Sequence, residues 1–306
     1  MAAARRDLAA LLRLWVYTRY VAPPSMLNGQ GKAVYVTGCD SGFGRSIALA
    51  LDQAGCYLDL DLSDAAKVDK CAEQIKTFCR DEQLPGLWAV FNNAGVSMCG
   101  EVECFPLDEY RRAVDVNLLG TISVTKSVLR LVRQAKGRVV TVTSGLSRTV
   151  LPGRSAYCMC KSALEAWMDC LRYELRKFGV KCIVISPGNY TQQTAIYDQL
   201  SRHFDAKVKP NIDAETMQDY GEEYIDAFKD SFVKGFRSKG GSLPYELMIG
   251  DSLAAVLSKW PRVRYNPCQL LAIVWWFVYF VFPCELTDIF HVIRNRDMPT
   301  PAVLKK

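Results

Sequence analysis

A tyrosine and a lysine stand four residues apart in the stretch YCMCK, residues 157–161. If this stretch is helical, Tyr157 and Lys161 lie one turn apart on the same face. A tyrosine with its usual pKa of about 10 is protonated at neutral pH. A nearby ammonium group favours the phenolate and makes the tyrosine a usable acid or base. The pair therefore predicts proton transfer.

The same spacing recurs at Tyr173 and Lys177, so the spacing alone is not specific. Ser144 distinguishes the first pair, because it ends a β-branched run 13 residues before Tyr157. The corresponding position before Tyr173 is Cys160, inside the predicted helix. A hydroxyl at a strand end can meet Tyr157 over a substrate carbonyl. We interpret the second pair as a solvated helix face.

A glycine-rich turn, TGCDSGFG at 37–44, joins an apolar run to a helical stretch. Gly38 permits the turn, Gly42 lets the backbone approach a pyrophosphate, and Gly44 allows close packing of the helix. The first N–H groups of that helix then face the phosphates. The turn predicts a dinucleotide-binding site.

These residues need a scaffold, and from residue 33 short β-rich runs alternate with helical stretches. The predicted strands cover 33–38, 87–95, 138–144 and 180–188, and the predicted helices cover 45–55, 118–137 and 161–179. This alternation predicts an α/β fold, a Rossmann-like doubly wound parallel sheet. Residues 189–250 are polar and helical in tendency, which favours a substrate lid, and 261–267 could be a last strand.

Composition argues against two classes of function. The net charge is +6, but five basic residues against one acidic residue in 1–32 contribute +4 and the last two lysines contribute +2. Residues 33–304 are therefore neutral, which disfavours nucleic-acid binding. Twelve cysteines without a CxxC pair, and only two histidines, disfavour a metal site and favour buried free thiols.

Both ends of the chain are distinctive. We divide the chain into 1–31, an amphipathic segment, 32–268, a catalytic domain, and 269–306, a hydrophobic segment and tail. Arginines beside helically spaced leucines in 1–31 are typical of a mitochondrial presequence, or of a surface helix or loose membrane-surface anchor. Thirteen apolar residues at 270–282 are too few to span a bilayer, which takes about 20. They favour membrane-surface or subunit contact over core burial.

The combined motifs resemble the short-chain dehydrogenase/reductase family over about residues 32–268. The matching stretches are TGCDSGFG, NNAG (92–95), VNLLG (116–120), Ser144, YCMCK and SPGNYTQQTA (186–195). The resemblance implies that Tyr157 is the catalytic acid/base and that Lys161 binds the nicotinamide ribose and lowers the tyrosine pKa. It implies that Ser144 holds the substrate oxygen and that Asn117 anchors a water of the proton relay.

The resemblance also implies the cofactor, which is NAD, with NADP left open. The residues it assigns to cofactor binding are Gly38, Ser41, Gly42, Phe43, Gly44, Asp61, Asn93, Ala94, Gly95, Tyr157, Lys161, Pro187, Gly188 and Thr194. Relatives are commonly dimers or tetramers, so we expect a homo-oligomer.

Within the family, stretches such as GLWAVFNNAGV and YGEEY look most like the mitochondrial D-3-hydroxybutyrate dehydrogenase branch. Retinol- and hydroxysteroid-oxidising relatives share many of these sequence motifs. The branch implies D-3-hydroxybutyrate and acetoacetate as substrates, a role in ketone-body metabolism, and a mitochondrial location, with the endoplasmic reticulum surface as the alternative. A carboxylate substrate needs a cation, and of Arg148 and Arg154 we favour Arg154.

One segment departs from the family pattern. The stretch GCYLDLDLSD at 55–64 stands where the family fits two strands and an intervening helix. We expect one composite strand, a sheet of about six strands and impaired cofactor affinity, with a weak or inactive variant as an alternative function. On this alignment Asp61 is an adenine contact. Asp59 reaches the ribose only if the composite strand takes the place of the second strand.

Overall fold

The structure is a computed structural model that describes residues 23–60, 68–190, 196–238, 243–295 and 298–305. Two predicted site residues, Asp61 and Thr194, lie outside these ranges, as does most of the segment 1–31.

Within these ranges, six strands form one parallel sheet in the order β2-β1-β3-β4-β5-β6. The strands are β1 Ala33–Val36, β2 Tyr57–Leu60, β3 Leu87–Asn92, β4 Arg138–Val142, β5 Lys181–Ile185 and β6 Arg264–Tyr265. The chain order reverses at β1, and ligands of such sheets bind at the carboxyl ends of the strands beside this reversal. The predicted fold class and the six-stranded sheet are confirmed.

The helices that cover the sheet are α1 Gly42–Gln53, α2 Val68–Asp81, α3 Leu107–Val114, α4 Gly120–Gln134 and α5 Ser155–Leu175. Side chains alternate across the strands, so one strand serves two cores. Val34 packs in the core that contains Ile47 of α1. Its neighbour Tyr35 packs in the opposite core with Ile75 of α2. The helices therefore cover both faces of the sheet.

The second half of the chain is mostly helical where it is described, as predicted for 189–250. Its helices are α6 Ile196–His203, α7 Ala214–Tyr220, α8 Glu222–Ser238, α9 Tyr245–Leu257, α10 Leu270–Val281 and α11 Cys284–Asn295. The apolar run 270–282 is thus mainly helix α10. Within the described residues, no helix combines the length and apolar character needed to cross a membrane.

The composite strand is β2, whose Tyr57 and Leu60 are in register with Ala33 and Val36 of β1. It pairs directly with β1 at the edge of the sheet. This is the place expected of the family's second strand, so the condition stated for Asp59 is met by the backbone.

Candidate active site

Ser144 follows the carboxyl end of β4 and begins a short 3₁₀ turn, Gly145–Ser147. Its hydroxyl accepts a hydrogen bond from the amide of Leu146 at 3.2 Å, which fixes the entry to the turn. Ser144 therefore lies at the edge of the sheet where parallel strands present their sites.

Tyr157 and Lys161 both lie in α5, which begins at Ser155, earlier than the predicted 161. Lys161 is buried, and its ammonium donates to the backbone carbonyl of Val142 at 3.1 Å. The same Nζ lies 5.8 Å from the centroid of the Tyr157 ring. Helix α5 thus brings the tyrosine and the lysine to the end of β4, beside Ser144.

Burial decides the electrostatics of this group. It raises the pKa of Tyr157 above its ordinary value, although a hydrogen bond with Ser144 and the charge of Arg154 act in the lowering direction. Burial also lowers the pKa of Lys161 to about 8. The net shift of the Tyr157 pKa is therefore upward, and the lowering by Lys161 that the resemblance implies stays a prediction. Desolvation of the charged forms outweighs the favourable neighbours.

Asn117 lies in a π-helical turn, Asp115–Leu119, and is completely buried. Its side-chain oxygen accepts from the Val96 amide at 2.9 Å, and its side-chain nitrogen donates to the Val96 carbonyl at 3.1 Å. A Cβ added to Gly95 would lie 2.9 Å from Asn117 Oδ1 and 3.5 Å from Lys161 Nζ. Only a glycine fits between these two side chains, so the structure brings all three residues together.

The glycine turn is bound to the end of β3. Asn93 donates from Nδ2 to the carbonyls of Thr37 and Gly38 at 3.1 and 3.0 Å. The Thr37 hydroxyl accepts from the amides of Asn93 and Ala94, both at 3.0 Å. A Cβ on Gly44 would lie 2.0 Å from the Gly38 carbonyl oxygen, so α1 approaches the turn as closely as a glycine allows. The two predicted cofactor segments form one unit.

A nicotinamide dinucleotide fits this unit. Gly42 has φ of +55°, and a Cβ there would meet no atom within 4 Å, so its backbone is open to a ligand. Ser41 precedes the first turn of α1, whose free N–H groups favour a phosphate. A cleft of about 440 Å³ at this point is lined by Gly42, Arg45, Ser46 and Tyr245. The ring of Phe43, the residue after Gly42, lies 5.2 Å from the ring of Tyr245.

Pro187 and Gly188 follow β5 beside the serine turn. The Pro187 carbonyl accepts from the amide of Gly145 at 2.9 Å, and Gly188 donates to the carbonyl of Pro267 at 3.0 Å. A Cβ on Gly188 would lie 2.7 Å from Cys268 Cβ. The loops after β4, β5 and β6 therefore meet at one edge.

The two candidate arginines differ in their surroundings. Arg154 is buried, and its Nη1 donates to the Ser97 hydroxyl at 2.7 Å and to the Met98 carbonyl at 3.2 Å. Its charge acts on Tyr157. Arg148 instead pairs with the carboxylate of Glu165 at 3.4 Å.

The second tyrosine–lysine pair and the cysteines lie where the sequence predicts. Tyr173 is 68% exposed, so the second tyrosine–lysine pair is a solvated face, as predicted. The twelve cysteines all lie within the described residues and form no disulfide there, and ten of them are buried, which confirms the prediction of buried thiols.

Comparison with known proteins identifies the family. Residues 56–203 match the sequence profile described as short chain dehydrogenase. The chain is 34% identical over 294 residues to the mitochondrial D-beta-hydroxybutyrate dehydrogenase of Rattus norvegicus, covering 86% of this chain and 84% of that protein. The chain belongs to the short-chain dehydrogenase/reductase family. It is an oxidoreductase that acts on CH–OH groups with a nicotinamide cofactor.

Other members of the family are similar to this chain in sequence or in fold. Retinol dehydrogenase 7 of Mus musculus is 33% identical over 287 residues, covering 85% of this chain and 88% of that protein. The crystal structure of a short-chain dehydrogenase from Streptomyces avermitilis matches with a TM-score of 0.61 at 22% identity, covering 87% of this chain and 98% of that one. The last match supports the fold alone.

Sequence reasoning missed two contributors to this short-chain dehydrogenase site. Thr37 joins the glycine turn to β3 through its hydroxyl, and Glu165 contacts three hydroxyls beside Ser144. The spacing of Glu165, one turn after Lys161 in α5, was the available signal.

Proposed function

We propose that this oxidoreductase uses NAD to interconvert D-3-hydroxybutyrate and acetoacetate. The observation that carries the proposal is the meeting of the Ser144 and Tyr157 side chains, with the Lys161 ammonium and the buried Arg154 beside the same tyrosine. This arrangement combines a proton donor and acceptor with a cation for the substrate carboxylate.

In the oxidation direction, Ser144 donates a hydrogen bond to the substrate oxygen, and the phenolate form of Tyr157 accepts the hydroxyl proton. When bound, the nicotinamide would supply the hydride acceptor for the carbinol carbon. Asn117 and Lys161 are both buried, with Gly95 between them. They form the relay by which Tyr157 returns its proton to solvent. In reduction Tyr157 gives the proton, and Ser144 stabilises the developing oxyanion.

Arg154 is the proposed partner of the substrate carboxylate. Hydrogen bonds from its Nη1 to Ser97 and Met98 fix the guanidinium from one side. The charge of the guanidinium acts on Tyr157. A guanidinium beside the acid/base binds a 3-hydroxy acid with the hydroxyl towards Tyr157. Arg148 is a poorer candidate because Glu165 already pairs with it.

A turnover assay with D-3-hydroxybutyrate, retinol and an androgen, each with NAD and with NADP, tests the proposal. We expect the hydroxy acid with NAD to give the highest kcat/KM, and Tyr157→Phe to reduce it about 10²- to 10⁴-fold. Arg154→Ala should raise the KM for hydroxybutyrate without raising that for a neutral alcohol. An unchanged hydroxybutyrate KM in Arg154→Ala would remove Arg154 from the substrate site.

Retinol is the second candidate substrate, because the mouse Retinol dehydrogenase 7 is nearly as similar to this chain as the rat hydroxybutyrate enzyme. The same assay separates the two. A preference for retinol, insensitive to Arg154→Ala, would favour this alternative.

The proposal of NAD rests on the family resemblance and on Asp59 of β2. Because β2 pairs directly with β1, the backbone of Asp59 lies near the position that contacts the ribose in dinucleotide-binding sheets. Among the described residues, β2 is the edge strand of the sheet, which supports weakened adenosine binding. An NAD affinity equal to that of relatives with the longer segment would refute this weakening, and absence of turnover would indicate an inactive variant.

We further propose that α10 rests on a mitochondrial membrane surface. Phe277, Phe280 and Val281 are 63%, 91% and 55% exposed, and apolar side chains of this kind insert at a bilayer interface. Flotation with phospholipid vesicles should retain the wild-type chain and release a Phe277→Ser, Phe280→Ser double variant. If the variant instead dissociates an oligomer, α10 is a subunit contact.

A further inference from the structure

Glu165 is a largely buried acid that touches several loops of the site. It lies in α5, and its side chain is 12% exposed. We infer that Glu165 is a positioning residue that fixes the turn carrying Ser144. This inference rests on the proposed function, in which Ser144 contacts the reacting oxygen.

One carboxylate oxygen of Glu165 accepts hydrogen bonds from hydroxyls at two strand ends. Its Oε1 lies 3.1 Å from the Thr143 hydroxyl and 2.6 Å from the Ser147 hydroxyl. Both residues follow the end of β4. The Ser186 hydroxyl, after β5, donates to the same oxygen at 2.9 Å. Ser186 directly precedes Pro187. The carboxylate therefore joins the serine turn to the loop proposed for the nicotinamide end.

Ser147 connects Glu165 to Ser144 itself. Its hydroxyl lies 2.6 Å from Glu165 Oε1 and 2.6 Å from the backbone carbonyl of Ser144, so its single proton is shared between them. The Ser147 carbonyl accepts in turn from the Ser162 hydroxyl of α5 at 2.8 Å. A shift of the carboxylate would therefore be transmitted to the backbone of Ser144.

The other carboxylate oxygen is held by cations. Glu165 Oε2 accepts from Arg264 Nη1 at 2.7 Å and from Arg148 Nε at 3.4 Å. Arg148 also lies 5.1 Å from the ring centroid of Trp276, and that ring packs so closely on Gly145 that an added Cβ would lie 2.9 Å from it. The turn is thus held from α5, β6 and α10 at once.

These contacts keep Glu165 ionised. Burial would raise its pKa, but the hydrogen bond from Ser147 and the charges of Arg148 and Arg264 outweigh burial and hold the pKa below its ordinary value. A carboxylate accepts at both oxygens, whereas an amide presents two donors at one end. Glu165→Gln therefore preserves the shape but cannot satisfy both the hydroxyls and the guanidinium groups.

The expected result of Glu165→Gln follows from the Ser144 contact with Tyr157. A displaced turn weakens that hydrogen bond, which acts to lower the pKa of Tyr157. The tyrosine should therefore ionise at higher pH in the variant, and kcat should fall about 10- to 100-fold. Within the described part of the chain, the charged or titratable groups that act on Tyr157 or lie over its ring are Arg154, Cys158 and Lys161, and the substitution leaves them unchanged.

Two readouts separate this inference from the proposed function. The first is the ionisation of Tyr157, measured from phenolate absorbance as the difference between each protein and its Tyr157→Phe counterpart. The second is the pH profile of kcat/KM with hydroxybutyrate and NAD. The absorbance titration needs no substrate, so it remains decisive even if hydroxybutyrate is not turned over.

Asp169→Asn provides the matched control, because Asp169 also lies in α5 and pairs with Arg264. It should leave the ionisation of Tyr157 unchanged. Ser147→Ala, which removes only the connecting hydroxyl, should raise the Tyr157 pKa in the same direction as Glu165→Gln. The double variant should be less than additive, because both changes break one connection.

The inference is overturned if the Tyr157 pKa in Glu165→Gln equals that of the wild type, or if Asp169→Asn shifts it equally. If Glu165→Gln does not fold, Ser147→Ala decides alone. An unmoved tyrosine in folded Ser147→Ala then overturns the inference, and a raised Tyr157 pKa supports it.

Discussion

Replacing Gly95 by alanine should damage both stability and turnover, because the new methyl group has no room. Its Cβ would lie 2.9 Å from Asn117 Oδ1, where ordinary contact begins at 3.4 Å. Asn117 must therefore retreat by about 0.5 Å, or the backbone of Gly95 must move. The Lys161 ammonium, 3.5 Å from the same Cβ, limits retreat on the other side.

The magnitude follows from the hydrogen bonds of Asn117. They measure 2.9 and 3.1 Å to Val96, and a movement of about 0.5 Å takes the longer one beyond the usual range. A lost partner in a fully buried site costs about 1–3 kcal/mol. Alanine restricts the unfolded chain and returns about 0.4–1 kcal/mol. We expect a net loss of about 1–2 kcal/mol.

Urea unfolding and turnover measure the two effects. Gly250→Ala is the matched control, because Gly250 lies inside α9 and a Cβ there meets no atom within 4 Å. That variant should be neutral or more stable by up to about 1 kcal/mol, with unchanged turnover. If Gly95→Ala unfolds at the wild-type urea concentration and keeps full activity, the proposed packing of Gly95, Asn117 and Lys161 is wrong.

Three further predictions concern buried charges. Lys161→Met should abolish turnover yet raise the free energy of unfolding at pH 7. Burial lowers the pKa of the lysine to about 8, so below that pH the buried ammonium carries its full desolvation cost. The gain in stability should vanish above the unfolded-state pKa, and a gain independent of pH would contradict this reasoning. Asp251→Asn should stabilise the protein at pH 8 and not at pH 3.5 in thermal unfolding, because burial raises the pKa of Asp251 to about 6 and ionisation above that pH costs stability. Arg138→Met should lower the free energy of unfolding by about 2–4 kcal/mol, because the buried guanidinium donates to the carbonyls of Ala255 and Ser258 at 2.7 and 2.6 Å; a loss below about 0.5 kcal/mol in urea unfolding would show that water replaces these bonds.

Much of the sheet could be predicted because its signals are local. Alternation of β-rich and helical runs determines a parallel sheet, and the short stretch 55–64 leaves room for one strand, which is β2. The helical period places Tyr157 and Lys161 on one face. The start of α5 at Ser155 was harder to place, because helix boundaries depend on the contacts that the first turn makes.

The electrostatics of the site could not be predicted in the same way. Spacing suggested that Lys161 lowers the pKa of Tyr157, but burial raises it. Burial depends on packing between segments distant in sequence, and a motif does not contain that information. The choice between Arg148 and Arg154 likewise depends on whether Glu165 lies within reach, which the fold decides.

The family, the chemistry and the shortened junction are evident from the sequence, because glycine turns, helical spacing and strand length act over a few residues. The tertiary structure alone decided that Glu165 gathers the ends of β4, β5 and β6 around Ser144. It also decided that Gly95 has no room for a side chain between Asn117 and Lys161. Such contacts join residues tens of positions apart, so they exist only once the sheet has brought its strand ends together.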